Sequence, residues 1–443
     1  MTMPTAMEIY KLLPKKNCGE CKFPTCLAFA MQLANLKVAL EACPYVSPEA
    51  KATLEESGAP PIRLVTIGGG GQSVKLGDET QLFRHDKTFY HPTVLGLVAD
   101  DSEGLEAMKS RIEKARSLSF ERVGQMVRVD AIAIRHSSGS TADFLEAVKI
   151  ASAAPLAVTL MTEDSELMGK ALSLSASRKP LLYRATPGNF DAMVAVAKAC
   201  GFPLVLGGSA SLEELAQLAD RAKKAGVVDL VLEPDTSTAR EMLENMTYLR
   251  RAAVKKKFRP FGYPTVAVLG NSLQDQAKLA LGVMKYSSML LFNDEPVEYL
   301  YPLLALRQNI FTDPQVPIQV KPGVYAVGQP TDKSPLLFTT NFSLTYFTVR
   351  ADIEKSKLPV WLLVVDTDGQ SVMTAFAAGK LTPESVAKAI EVEKISEKST
   401  RKEIVIPGQV SRMSGKLGEL TGMKVVVGPR ESSALPKVLK SMG

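Results

Sequence analysis

Short apolar runs recur along the middle of this chain, each followed by an amphipathic stretch. Between Thr93 and Asn309 the runs fall at Val94–Val98, Ala131–Ile134, Leu156–Leu160, Leu181–Tyr183, Leu204–Leu206, Asp229–Leu232, Val266–Leu269 and Met289–Phe292. Runs this short predict strands. The stretches after them, such as Ser102–Leu118, Ala142–Ala151, Leu212–Ala225 and Leu273–Tyr286, predict helices. Eight strand–helix units are the arithmetic of a closed (β/α)8 TIM-like barrel, with an open doubly wound sheet as the alternative.

The flanks differ. Beyond Pro322, strands are expected at Leu336–Thr340, Val360–Val365, Glu403–Ile406 and Val425–Val427. Helices are expected at Ser343–Lys355, Pro383–Glu397, Ser411–Leu420 and Ser433–Met442. This is the pattern of a small doubly wound α/β domain of Rossmann or flavodoxin type. The amino-terminal end predicts a small helical cap. The expected boundaries are 1–58, 59–322 and 323–443, with proline-rich linkers at Pro44–Pro61 and Pro314–Pro335. Extended segments are expected at Ile62–Ile67 and Gln81–Phe89. Between them, Gly68-Gly69-Gly70-Gly71 is followed by Gln-Ser-Val-Lys-Leu-Gly-Asp, which predicts strand and turn. A phosphate-binding loop should open a helix instead, so the glycines are expected to form a hairpin bend.

Composition narrows the class. The chain has 443 residues, 46% of them hydrophobic, enough for two or three domains with real cores. No apolar run reaches the ~18 residues that span a bilayer, and Met1–Lys16 lacks the apolar core of a signal peptide. A cytoplasmic protein with no membrane partner is expected. The net charge is only +6. The densest basic run, Arg250-Arg251-Ala-Ala-Val-Lys255-Lys256-Lys257, is expected at a solvated helix end, where cations offset the dipole. No aromatic residues interleave with it, so nucleic-acid binding is not expected.

Four of the five cysteines lie at Cys18, Cys21, Cys26 and Cys43, with Pro44 next. Four thiolates match the ligand count of an iron–sulfur cluster or a structural zinc. Three of them within nine residues favour a [4Fe–4S] cube gripped by one loop; zinc and disulfides remain alternatives. The sixteen residues Leu27–Ala42 would span ~24 Å as one helix, too far for Cys43 to rejoin the others. A break is therefore expected at Asn35-Leu36-Lys37, with Phe29, Leu33 and Leu40 facing inward. The fifth cysteine, Cys200, is expected to be plain core.

Two rims carry polar side chains. Asp100, Asp101, His136, Arg184, Glu233, Asn271, Asn293 and Asp294 would line the barrel mouth, where such folds place active sites. No acid–base pair stands out among them, and polar loop ends are ordinary in any barrel. In the last domain the strand ends read Thr339-Thr340-Asn341-Phe342-Ser343, Asp366-Thr367-Asp368-Gly369-Gln370-Ser371, Pro407-Gly408-Gln409 and Gly428-Pro429-Arg430-Glu431. Ligands of open α/β sheets bind outside such ends. Hydroxyls, amides and glycines suit a large neutral ligand better than a bare phosphate; a flavin is the plain alternative.

The cysteine motif, the middle barrel, Thr339-Thr340-Asn341-Phe342-Ser343-Leu344-Thr345-Tyr346 and Val427-Gly428-Pro429-Arg430-Glu431 occur in one order. Taken together, the chain resembles the large (gamma) subunit family of the corrinoid iron–sulfur protein of the acetyl-CoA (Wood–Ljungdahl) pathway. That resemblance implies a methyl carrier, a component of a methyltransferase system whose reactive centre is cobalt and not a side chain. A corrinoid (cobamide) in the last domain would accept the methyl of methyltetrahydrofolate as Co(I), delivered by a separate methyltransferase. It would pass that methyl to acetyl-CoA synthase/CO dehydrogenase. The cluster would return Co(II) to Co(I), fed by a low-potential ferredoxin-type reductant. A small subunit would complete a heterodimer. The implied corrinoid contacts are Thr340, Asn341, Ser343, Tyr346, Gln370, Ser371, Val372, Met373, Thr374, Pro407, Gly408 and Gly428.

The residues add one point of their own. The histidines are His85, His91 and His136, all upstream of the last domain, and no Asp-x-His-x-x-Gly motif occurs. A corrinoid there is expected base-off, without a protein imidazole on cobalt. Two other readings remain open: an iron–sulfur flavoprotein working as an electron-transfer protein or oxidoreductase, and a barrel that binds a pterin and transfers the methyl itself. A zinc-stabilised nucleic-acid binder is disfavoured by the diffuse charge.

Overall fold

The structure, a computed structural model, describes residues 6–35, 37–47, 50–51, 54, 60–69, 71–293, 295–313 and 315–442. The chain divides into two compact units, Met1–Leu118 with Arg128–Phe311, and Ser119–Val127 with Thr312–Gly443.

In the first unit a helix at Ala6–Leu12 precedes one at Cys26–Ala34, which Thr25 caps by accepting a hydrogen bond from the Ala28 amide. The second helix ends where a break is expected, with Asn35 as its C-cap, and a single 3-10 turn follows at Leu40–Ala42. Leu36 lies outside the described residues. Phe29 is buried, and Leu33 and Leu40 pack against the same apolar cluster. In the expected linker after Pro44, residues 48–49, 52–53 and 55–59 are outside the described set. Leu54, within it, is buried in the cysteine cluster.

A hairpin follows: β1 (Val65–Gly69) pairs antiparallel with β2 (Gln72–Leu76), Gly69 facing Gln72. The chain therefore reverses between Gly69 and Gln72, as a hairpin bend requires; Gly70 lies outside the described residues. Gly68 has φ +100°, and a Cβ there would lie 2.1 Å from the Gln72 carbonyl oxygen, so only glycine fits. Val65, Ile67 and Leu76 are fully buried in the barrel's central cluster, and the Gly68 amide donates to the carbonyl of Lys179, just before a barrel strand begins. The hairpin thus plugs the amino-terminal end of the barrel. The expected extended segment at Gln81–Phe89 is instead irregular loop.

All eight expected barrel strands form: β3 (Val94–Asp100), then, after a hairpin of β4 (Ser119–Arg122) and β5 (Gln125–Arg128), β6 (Ala131–Arg135), β7 (Ala157–Met161), β8 (Leu181–Ala185), β9 (Leu204–Leu206), β10 (Leu230–Leu232), β11 (Val266–Leu269) and β12 (Met289–Phe292). Their order is β10-β9-β8-β7-β6-β3-β12-β11, all parallel. The ring closes through a bridge between Leu232 and Thr265, making a nearly closed eight-stranded barrel. Val94, Val98, Ala131, Ala133, Val205 and Val231 fill the interior. Leu95, Leu97, Ile132 and Ile134 between them are equally buried, on the face toward the helices. Burial on both faces explains the unbroken apolar runs.

Two expectations are corrected here. Arg250 is not at a solvated helix end. It is 5% exposed, paired with buried Glu79 at 2.9 Å and held between the rings of Phe89 and Tyr286. Cys200 is only half-buried at the end of helix Phe190–Cys200, where partial burial raises its thiol pKa.

The second unit is built on a five-stranded sheet: β13 (Gly323–Val327), β14 (Leu336–Thr340), β15 (Val360–Val365), β16 (Glu403–Ile406) and β17 (Lys424–Val427), ordered β13-β15-β14-β16-β17. The four expected strands are parallel. The added β13 lies antiparallel to β15. Of the expected linker, Pro314 lies outside the described residues, and 315–335 is no free linker: it supplies an edge strand, and Gln319 bridges to Phe342. Leu336, Phe338, Leu363 and Ile404 face one apolar layer with Val386 and Leu417. Leu337, Leu362 and Val405 face the other with Ile353 and Leu439. Helices thus cover both faces. The β4–β5 hairpin also belongs to this unit: a Cβ on Gly124 would touch the ring of Phe347 at 3.3 Å. Nothing in its local pattern signals that placement.

Candidate functional site

Three places gather polar or thiol chemistry. The first is the cysteine loop. Cys21, Cys26 and Cys43 are buried in one cluster with Ile9, Leu13, Phe29 and Ala30, while Cys18 is exposed. Asn17 Oδ1 accepts from the Cys26 amide at 2.8 Å. Tyr45 donates its hydroxyl to Glu20 at 2.7 Å, and Lys16 lies 3.9 Å from the centre of the Tyr45 ring. The Tyr45 phenol is held above its ordinary pKa, first by that hydrogen bond, with small contributions from Cys18 and Cys43 nearby. Among the described residues no three His, Cys, Asp or Glu side chains converge on a single metal-ion position. A cube of iron and sulfide is gripped at its corners, so its ligands need not meet at a point. A soft all-thiol donor set half-sunk in an apolar cluster fits such a cluster.

The second is the carboxyl edge of the five-stranded sheet. β14 pairs with β16 only at Leu336–Ile404 and Leu337–Val405. Beyond those pairs the strands part, and a cavity of about 220 Å3 opens between them. Of the expected contacts, Val372 and Pro407 line it, along with Thr339. Helix Ser343–Ser356 supplies one wall through Leu344, Thr345, Thr348 and Val349; the loops after β16 and β17 add Gln409, Arg430, Glu431 and Ser432. Thr348, Val349 and Ser432 went unread in the sequence. The spacing of the helical residues, i, i+1, i+4 and i+5, is that of one helix face and is the signal that could have found them.

The other expected contacts are distributed as follows. Thr340, Asn341 and Ser343 are buried at the end of β14. The Thr339, Thr340 and Ser343 hydroxyls and the Gln370 side-chain oxygen are buried without a hydrogen-bond partner. Asn341 Oδ1 accepts from the Thr367 amide, the Thr367 hydroxyl and the Gly369 amide. Ser371 stands at the N-cap position of the short helix Val372–Ala377, which was not expected, and its hydroxyl lies 3.0 Å from that of Thr374 without capping the helix; Met373 is exposed. A Cβ on Gly408 would fall 2.6 Å from the Gly428 oxygen, so Gly408 lets the two loops cross. Tyr346 packs in the core against Tyr325 and Phe347. Of these four residues Thr339 lines the cavity, and its orphaned hydroxyl beside a split between parallel strands fits a ligand rich in hydrogen-bonding groups.

The third place is the barrel mouth. Asp101 lies 2.6 Å from His136 and accepts the amides of Ser137 and Ser138 at 2.7 Å. Burial opposes its charge, yet these donors hold its pKa below the ordinary value. Arg184 and Tyr183 both donate to Glu233. Burial first, and the Glu233 charge second, push the Tyr183 phenol far above its usual range. Asn271 is exposed, Asn293 is half-buried, and Asp294 lies outside the described residues. The mouth residues thus form two separate groups.

The CdhD family, described as the CO dehydrogenase/acetyl-CoA synthase delta subunit, matches residues 64–439. A second family, "Putative Fe-S cluster", matches residues 13–45, which contain all four clustered cysteines. The corrinoid/iron-sulfur protein large subunit of Moorella thermoacetica is 46% identical over 97% of this chain and 97% of its own. This chain belongs to the corrinoid/iron–sulfur protein large-subunit family. The acetyl-CoA decarbonylase/synthase complex gamma subunit of Methanothermobacter thermautotrophicus is 35% identical over 99% of both chains. That of Methanopyrus kandleri is 34% identical over 100% of this chain and 99% of its own. Family membership thus spans both the cysteine loop and the split sheet. No helix among the described residues is long and apolar enough to cross a membrane.

Proposed function

We propose that this chain is the cluster- and corrinoid-bearing subunit of a methyl carrier in the acetyl-CoA pathway. The observation that carries this reading is the split between β14 and β16, bordered by the buried, unpartnered Thr339 hydroxyl, in a member of this family. The unit 323–443 is read as a doubly wound corrinoid-binding domain; among its parallel strands the order is second-first-third-fourth, as in flavodoxin-like sheets. The segments 1–58 and 59–322 are read as cluster domain and barrel.

A bound cobamide would supply a cobalt nucleophile that takes a methyl from methyltetrahydrofolate, through a separate methyltransferase, and yields it to acetyl-CoA synthase. The chain's own residues do the holding. Thr339, Thr340 and Ser343 offer hydroxyls that donate or accept, and Gln370 offers an acceptor. Val372, Leu344 and Val349 offer apolar contact. Asn341 fixes the loop that carries Gln370. No histidine lies in the second unit, so the chain supplies no imidazole there and the base-off state is favoured. Cys18, Cys21, Cys26 and Cys43 would hold a [4Fe–4S] cluster that restores cobalt to its reduced state, fed by a ferredoxin-type donor. A small subunit would complete a heterodimer.

Anaerobic purification with metal analysis and a visible spectrum tests this. About one cobalt and four iron per chain, with corrinoid bands, is expected. Iron with flavin and no cobalt would instead support an electron-transfer flavoprotein, and zinc alone would overturn the cluster.

A further inference from the structure

Burial holds three of the four loop cysteines in place; Cys18 is exposed and lacks that anchor. Its loop is also strained, since Lys15, Asn17 and Lys22 all adopt positive φ, at 57°, 49° and 66°. Non-glycine residues are disfavoured in that region and persist there only when surrounding contacts enforce them. Yet the residues flanking Cys18 are tethered. Asn17 takes the Cys26 amide. Glu20 takes the Tyr45 hydroxyl, and Lys16 rests on the Tyr45 ring.

Tyr45 stands two residues beyond Cys43. One side chain therefore joins the segment carrying the last cysteine to both sides of the segment carrying the first. We propose that Tyr45 and Glu20 form a positioning clasp that fixes the exposed Cys18 against Cys43, so that the four thiols are presented as one ligand set. This inference rests on the cluster reading above. Neither residue touches the reacting atoms. They act by limiting the excursions of an exposed ligand, on which cluster retention and the electronic environment of the iron depend.

The test compares the wild-type holoprotein with Tyr45→Phe, Glu20→Ala and Glu20→Gln. Tyr45→Phe keeps the ring and its Lys16 contact and removes only the hydroxyl; Glu20→Ala severs the bond from the other end; Glu20→Gln retains an acceptor. Two readouts are followed: the rate of iron loss to a ferrous chelator, and the electron paramagnetic resonance spectrum of the reduced cluster. Tyr45→Phe and Glu20→Ala are each expected to lose iron about fivefold faster, as for one lost hydrogen bond, with a shifted or broadened spectrum. Glu20→Gln should restore near wild-type retention. Wild-type retention and spectrum in both severed variants would overturn the clasp while leaving the cluster reading intact. A wild-type chain without iron–sulfur signals would sink the cluster reading itself, and the clasp with it. Thermal unfolding of each variant, followed in parallel by circular dichroism, shows that the unit carrying the cysteines is folded.

Discussion

Asn341 and Thr367 are joined twice. The single amide oxygen of Asn341 accepts both the backbone amide and the hydroxyl of Thr367, each at 3.0 Å, deep at the end of β14. Through this pair the first parallel strand dictates the path of the loop after β15. The same oxygen also takes the Gly369 amide, and the Asn341 Nδ2 donates to Asp366 at 2.9 Å.

Asn341→Asp converts that donation into carboxylate against carboxylate. The variant is expected to lose about 2–3 kcal/mol of stability in the second unit, because a buried charge faces Asp366 unpaired. Urea unfolding checks the loss. Cobalt content should fall with it, since the loop bearing Gln370 is released.

Thr339→Val separates folding from binding. The Thr339 hydroxyl is buried without a partner and borders the cavity. Replacing it with a methyl group should stabilise the cofactor-free chain by about 1 kcal/mol, by removing an unsatisfied polar group. The same change should weaken corrinoid retention. Thermal unfolding of the cofactor-free chain and retention of corrinoid on dialysis give the two signs; a hydroxyl with no ligand role would show the first without the second.

Cys26→Ala should abolish the iron signal while leaving cobalt near its wild-type level, because the cysteines and the split sheet lie in different compact units. Cys200→Ser, at a half-buried helix end, should change neither metal and should alter stability by about 0.5 kcal/mol or less. Metal analysis of the two variants side by side decides the matter.

Acid should loosen the second unit through Asp352. This buried carboxylate accepts from Lys355 at 2.7 Å and from Ser432 at 2.7 Å, and those bonds lower its pKa. A lowered folded-state pKa means the stabilisation is present in full above the unfolded value of about 4 and fades as pH falls through the lower folded value. Asp352→Asn should flatten that acid limb, in denaturation curves taken between about pH 5 and pH 2. Ser432 lines the cavity, so corrinoid retention should show the same limb.

Much of the architecture was legible because it is local. Each barrel strand is a short apolar run, and both faces of a parallel strand are covered, so the run itself carries the signal. The hairpin after Gly68-Gly69 was legible because Gln-Ser-Val-Lys-Leu-Gly-Asp, beyond the glycines, reads as strand and turn and opens no helix. The break after Ala34 followed from reach: a straight helix would have stranded Cys43.

What the sequence by itself determined, then, was the eight barrel strands, the four parallel strands of the smaller sheet, and the four clustered thiols. Tertiary structure alone decided the rest. Arg250 reads as one cation in a basic run, but distant Glu79, Phe89 and Tyr286 close over it. β13 lies in a proline-rich stretch with little strand signal, and pairing with β15 makes it an edge. The β4–β5 hairpin is continuous in sequence with the barrel and is counted with the other unit. The cavity exists because β14 and β16 part after two residue pairs. Each of these depends on which remote segment is nearby, and local side-chain pattern encodes periodicity and propensity but not the partner that long-range burial selects.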